Sequence, residues 1–134
     1  MTTETRIRTV LIADDDPDIR DVLELNLSMA GYTVVVAENG GQAGSLAREV
    51  LPDLIVLDVM MPVTDGYDIL VGLKADEATR DIPVVMLTAM ASDKDVWAGW
   101  QAGAAYYMTK PFDPEHLLQF IEHLEDPEAH KLPC

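Results

Sequence analysis

The sequence predicts a three-layer α/β domain, a doubly wound arrangement in which helices cover both faces of a five-stranded parallel sheet. Short apolar runs alternate five times with longer stretches whose apolar residues recur at helical spacing, the pattern of strand–helix repeats around a parallel sheet. The middle run, Leu54-Ile55-Val56-Leu57, is apolar without interruption, as a strand buried on both faces must be. It leads straight into Asp58, with Pro62 four positions later. A carboxylate is thereby expected at the carboxyl end of a central strand, where open α/β sheets place their ligand sites.

Each element has its own local signal. Thr9-Val10-Leu11-Ile12-Ala13 is the first strand and ends in Asp14-Asp15-Asp16. Asp16 then suits a helix N-cap and Pro17 the first helical position. Ile19, Val22, Leu23, Leu27 and Ala30 form the expected apolar face, and Gly31 stops the helix. Tyr32 to Ala37 is β-rich and makes a second strand. After Asn39-Gly40-Gly41, a second helix shows Ala43, Leu46, Ala47 and Val50 and is ended by Pro52. The third strand carries Asp58, and a loop with Pro62 and Asp65-Gly66 follows. Ile69, Leu70 and Leu73 mark a third helix, and Ile82 to Thr88 a fourth strand with Pro83 at its start. A helix over 92–102, closed by Gly103, precedes a weak fifth strand, Ala105-Tyr106-Tyr107-Met108. Asp113 and Pro114 repeat the cap pattern before a last helix with Leu117, Leu118, Ile121 and Leu124 inward. The periodicity stops near Asp126, so residues 1–125 are expected as one domain and 126–134 as a frayed tail.

Composition narrows the function. At 134 residues the chain is long enough for one self-sufficient core, and an apolar share of 49% argues against disorder. Its apolar runs are too short to span a bilayer, and the first residues lack the apolar region of a signal peptide. The lone cysteine is Cys134, which excludes an internal disulfide and points to the cytoplasm. A formal charge of −15, with nine scattered basic residues, argues against direct nucleic-acid binding.

If the strands are parallel, their carboxyl ends share one edge. That edge collects Asp14 and Asp15, Asp58, Thr88 and Lys110 from four strands. Crowded carboxylates repel one another and call for a counter-charge. Mg2+, or Mn2+ in its place, is a hard cation suited to such oxygens. Lys110 suits phosphate oxygens as a point cation, and the Thr88 hydroxyl adds a donor. The set describes a carboxylate that attacks a phosphoryl group. Singly, each residue has a plainer role: caps for the aspartates, β-propensity for the threonine, solvated surface for the lysine. Their joint placement at successive strand ends favours chemistry.

The sequence resembles the receiver domain of bacterial two-component response regulators over about residues 7 to 125. The resemblance rests on Val10-Leu11-Ile12-Ala13-Asp14-Asp15-Asp16, Leu54 to Pro62, Asp65-Gly66, Val85-Met86-Leu87-Thr88-Ala89 and Lys110-Pro111-Phe112. It implies a flavodoxin-like fold with strand order 2-1-3-4-5. It further implies a phosphorylation-dependent switch, not a turnover enzyme, with Asp58 as acceptor from a phosphohistidine of a sensor kinase or phosphotransfer protein. Asp14 and Asp15 would be the acid pair. Asp15, Asp58 and the Met60 carbonyl would ligate the metal. Thr88 and Lys110 would hold the phosphoryl oxygens, and Tyr107 would be the switch aromatic that turns inward as Thr88 moves. The output surface would comprise the helix over 92–102, the fifth strand and the last helix. A downstream protein or an output domain elsewhere would read it, with the chain monomeric or dimerising on phosphorylation.

Two departures from the family pattern carry expectations. DNA-binding relatives place acidic residues after Gly103-Ala104, where this chain has Ala105 and Tyr106, and an arginine where it has Phe120. An aromatic partner patch of Trp97, Trp100, Tyr106 and Phe120 is expected in place of their charged pairs. The positions that influence water attack on the acyl phosphate hold Met60 and Met90, neither able to orient a water, so a long-lived phosphoform is expected. The rival reading is a haloacid-dehalogenase-like phosphatase built on Asp14, Asp16, Thr88 and Lys110. It needs a further acidic strand after the lysine, where the sequence offers a helix and tail. A flavodoxin-like cofactor carrier fails because three aspartates stand where a phosphate cradle would be.

Overall fold

The computed structural model describes residues 7–61, 64–88, 103–109 and 113–125. In chain order the elements are β1 (Thr9–Ala13), α1 (Pro17–Met29), β2 (Thr33–Ala37), α2 (Gly40–Val50) and β3 (Leu54–Asp58). Two short strands, β4 (Met60–Met61) and β5 (Thr64–Asp65), lead into α3 (Gly66–Ala75). Then come β6 (Val84–Thr88), β7 (Tyr106–Thr109) and α4 (Pro114–Glu125). The five long strands are parallel in the order β2-β1-β3-β6-β7, the doubly wound topology expected from the resemblance. The helix expected over 92–102 falls outside the described residues.

Strand alternation sorts the core into two layers. Leu11, Ile55, Leu57, Val84 and Met86 face one side and bury Ala43 and Ala47 of α2 with Leu70 and Leu73 of α3. Val10, Ile12, Leu54, Val56, Val85 and Leu87 face the other, against Leu23 and Leu27 of α1 with Leu117 and Ile121 of α4. Every residue of β3 and of β6 is buried, as an uninterrupted apolar run requires.

The helix ends follow the sequence closely where caps govern them. Asp16 accepts the Asp18 N–H at 2.9 Å and starts α1. At the other end Gly31 takes φ +100°, with its N–H on the Ser28 carbonyl and the Tyr32 N–H on the Leu27 carbonyl. This is the paired closure that a glycine in the left-handed region permits. Three inward assignments need correction: Val22, Ala30 and Val50 are exposed. The buried stripe of α1 is Leu23 and Leu27 with Ile19 partly covered; Val22 points about a quarter turn away, with Leu25 and Met29. The fourth and fifth long strands also begin later than expected, at Val84 and Tyr106.

Two side chains fasten the strands at the ends opposite the site. The Asp53 carboxylate accepts the backbone N–H groups of Arg8 and Thr9, both at 3.0 Å, which joins the start of β1 to that of β3. Lys74 donates to the carbonyls of Arg80 and Ile82, at 3.0 and 2.9 Å, and holds the turn before β6. Burial of its ammonium pushes the Lys74 pKa down against the opposing pull of Asp81.

Candidate functional site

Sheet register alone brings the carboxylates together. Ala13 pairs with Leu57, so the next residues, Asp14 and Asp58, leave adjacent parallel strands at the same level. Asp58 in turn pairs with Leu87, one residue before Thr88, and Thr88 pairs with Thr109. Carboxylate oxygens of Asp14, Asp15 and Asp58 lie within 4.8 Å of one another. Asp14, Asp58 and Thr88 are buried, and Asp15 is exposed, so the cluster reaches solvent through Asp15. Lys110 follows Thr109 in sequence but lies outside the described residues, as do Met90, Trp97 and Trp100.

The loop after β1 is held by its own aspartates. Asp14 Oδ1 accepts the Asp16 N–H at 2.9 Å, and Arg20 Nη1 donates to the Asp14 carbonyl at 2.9 Å. Arg20 also reaches Glu38 at 3.8 Å, an ion pair too exposed at the Glu38 end to contribute much stability. Its main service is local: it fixes the peptide from which the acid pair projects. Sequence reasoning missed this residue, because its spacing from Asp14 carries no recognisable signature.

The loop after β3 is held by a close approach. The Val59 N–H donates to the Leu87 carbonyl, and the Gly66 N–H donates to the Val59 carbonyl, both at 2.8 Å. Met60 and Asp65 pair across the short β4–β5 ladder, which was expected only as a loop. This ladder fixes the backbone around Met60, whose carbonyl was expected among the metal ligands. Gly66 sits so near the end of β3 that a Cβ there would collide with the Asp58 carbonyl oxygen and stand 2.8 Å from Val59 Cα.

Three carboxylates at this range fit a hard divalent cation. At about 4 Å and an effective dielectric near 20, each like-charged pair repels by about 4 kcal/mol. All the donors offered are oxygens, which suits Mg2+ better than a softer metal. The arrangement also leaves Asp15 exposed to water, as Mg2+ prefers when it keeps part of its hydration shell.

Away from the carboxylates, the two tyrosines of β7 point to opposite faces. Tyr106 stacks on Phe120 of α4, with ring centroids 4.5 Å apart and planes 9° from parallel. Both rings are half-buried against the layer beneath α1 and α4. Tyr107 packs against the other layer, and its hydroxyl hydrogen-bonds that of Tyr67 at 2.6 Å. That pair, too, was not foreseen from the sequence.

A five-stranded parallel sheet in this order, with an acid cluster at its carboxyl edge, defines a doubly wound α/β domain of the flavodoxin-like class. The family description "Response regulator receiver domain" matches residues 10–122. The chain belongs to that family, a family of two-component signalling switches rather than turnover enzymes. It is 47% identical over 115 residues to the DNA-binding dual master transcriptional regulator RpaA of Synechocystis, covering 86% of this chain and 48% of that protein. To the phosphate regulon transcriptional regulatory protein PhoB of Pseudomonas aeruginosa it is 44% identical over 111 residues, covering 83% and 48%. The chain thus spans about half the length of these relatives. Among solved structures, chemotaxis protein CheY4 of Vibrio cholerae superposes with a TM-score of 0.83 at 32% identity, covering 88% of this chain and 98% of that one. These matches support a signalling receiver and lend nothing to the phosphatase alternative.

Proposed function

We propose that Asp58 is the phosphoryl acceptor of this receiver, supplied by a phosphohistidine on a sensor kinase or phosphotransfer protein. The observation that carries this reading is the burial of Asp58 beside Asp14 and Asp15, with all three carboxylates within 4.8 Å. An Asp58 oxygen attacks phosphorus, the bond from phosphorus to the donor imidazole breaks, and the imidazole leaves with the electron pair and takes up a proton. Asp14, Asp15, Asp58 and the Met60 carbonyl are the residues that would hold Mg2+. Bound there, the ion would offset the charge crowded at the acid cluster and on the transferring group. Thr88 donates its hydroxyl to a phosphoryl oxygen, and Lys110 adds a cation to another.

The aspartyl phosphate brings new charge and acceptor oxygens to the edge that carries Thr88. A pull on Thr88 acts beside Tyr107, since β6 and β7 are paired through this stretch. Receiver function in this reading extends over 1–125, with 126–134 a tail, and output passes through β7, α4 and the segment over 92–102. Its reader is a downstream protein or an output domain elsewhere in a longer chain, in the cytoplasm, without nucleic-acid contact by this domain. Tyr106 and Phe120 cover one another's faces, so Trp97 and Trp100 would supply the larger share of an aromatic partner patch. The receiver would act as a monomer or as a dimer formed on phosphorylation.

Incubation with Mg2+ and acetyl phosphate, followed by intact mass, tests the central step. One phosphoryl adduct is expected on the wild-type chain and none on Asp58→Asn. With methionines at 60 and 90, the adduct should outlast purification rather than decay within seconds. An adduct that survives Asp58→Asn would overturn the assignment. Steady release of phosphate from simple esters, lost in Asp14→Asn, would replace the switch with a phosphatase.

A further inference from the structure

Tyr67 follows Gly66, and Gly66 is pressed against the end of β3 at Asp58 and Val59. The first turn of α3 is therefore tied to the backbone of the proposed acceptor, through the close approach and through the Gly66 hydrogen bond to Val59. From this anchored position the Tyr67 hydroxyl meets that of Tyr107 at 2.6 Å, forty residues along the chain. Tyr107 is fixed at its own backbone by pairing with Met86 in β6. Both phenols are half-buried on the α2–α3 side, where Tyr67 and Tyr107 pack against the same core layer.

The geometry points to Tyr67 as a positioning residue for the switch: its hydroxyl holds Tyr107 against the α3 face and sets how readily that aromatic leaves it. The inference rests on the reading of Tyr107 as the switch residue given above. It adds a second route to that residue. Thr88 acts from the carboxyl end of β6, whereas Tyr67 acts from the first turn of α3, anchored at the carboxyl end of β3, so movement at either of these two carboxyl ends reaches the same ring. A rigid ring with a single polar atom suits this task. Packing holds the body of Tyr107 while one hydrogen bond selects between rotamers.

Fluorine NMR on the full chain carrying fluorotyrosine at its four tyrosines tests this directly. Single Tyr→Phe variants assign the signals. In the wild type the Tyr107 signal should be largely shielded from a soluble paramagnetic agent. In Tyr67→Phe, which keeps the ring and loses only the hydroxyl, the shielded population should fall relative to the exposed one by about five-fold, the yield of one ordinary hydrogen bond. Tyr106, stacked on Phe120, should keep its signal. A Tyr107 signal unchanged in position and shielding would overturn the inference and leave Tyr67 as simple packing.

The kinetic counterpart is a double-mutant cycle on the initial rate of adduct formation with acetyl phosphate. Tyr67→Phe and Tyr107→Phe should change the rate by a similar factor, and the double variant should change it no further. Fully additive effects would overturn the coupling. The spectra need no phosphoryl donor, so failure of Asp58 to accept phosphate would sink the proposed function and leave the hydroxyl pair independently measured.

Discussion

Gly66 shows how strongly a single position constrains the site. Its missing side chain lets α3 begin directly against the carbonyl of Asp58, and the atoms in the way of a Cβ are all backbone. A flexible neighbour would swing aside, whereas β3 is buried and paired on both edges and has nowhere to go. Gly66→Ala should therefore cost about 1–3 kcal/mol, as overpacking of a close-packed interior does. It should also push the Met60 backbone away from the carboxylates. Thermal melting reads the first effect and Mg2+ titration the second. An alanine variant with wild-type melting and wild-type metal affinity would show that the loop yields after all. The sequence marked Asp65-Gly66 only as part of a loop, since the close approach depends on the β4–β5 ladder bringing Gly66 back to the end of β3.

At the scale of elements, the ends set by local chemistry were legible and those set by tertiary context were not. Asp16, Gly31 and Asp113 act at the helix ends where the sequence placed them, because a cap needs only residues within one turn. Val22, which lies on an outward stripe with Leu25 and Met29, was not separable from the core stripe, since both stripes are apolar at helical spacing and only packing decides which is covered. The acid cluster was legible because parallel strands share one carboxyl edge. The Arg20 contact was not, because a side chain bonding a carbonyl six residues back leaves no spacing signature, nor was the Tyr67 contact, because it joins residues forty apart through the packing of α3 on β7. The end of α2 is an intermediate case. Pro52 stops the helix as expected, yet the residue that turns the chain is Leu51, at φ 52° and ψ 62°. A leucine in the left-handed region costs about 1–2 kcal/mol, and Leu51 is 52% exposed, so burial offsets little of this. Leu51→Asn should raise stability by about 0.5–1 kcal/mol in denaturant melts, since asparagine tolerates this conformation. A loss of stability would mean that the leucine side chain contributes packing worth more than its strain.

The molecule as a whole carries a charge of −15, and among the described residues three of its carboxylates converge at the sheet edge. General repulsion among surface carboxylates is relieved by any salt, because screening acts over about 10 Å at ~0.1 M ionic strength. The cluster of Asp14, Asp15 and Asp58 is different, as two of its members are buried and screened far less. Mg2+ should therefore raise the melting temperature beyond what sodium chloride of equal ionic strength achieves. At about ten times its dissociation constant, a ligand that binds only the folded chain stabilises by about 1.4 kcal/mol, a shift of several degrees for a domain of this size. Asp58→Asn should separate the two contributions by acting on them in opposite directions. With one charge removed from the buried cluster, the metal-free protein should melt higher than the wild type, while the extra gain from Mg2+ should shrink or vanish. Equal responses to the two salts in the wild type would remove the cation from the site. An Asp58→Asn variant that melts lower without metal and gains as much from it would show that the carboxylates are held apart by other partners and that the aspartate is no ligand.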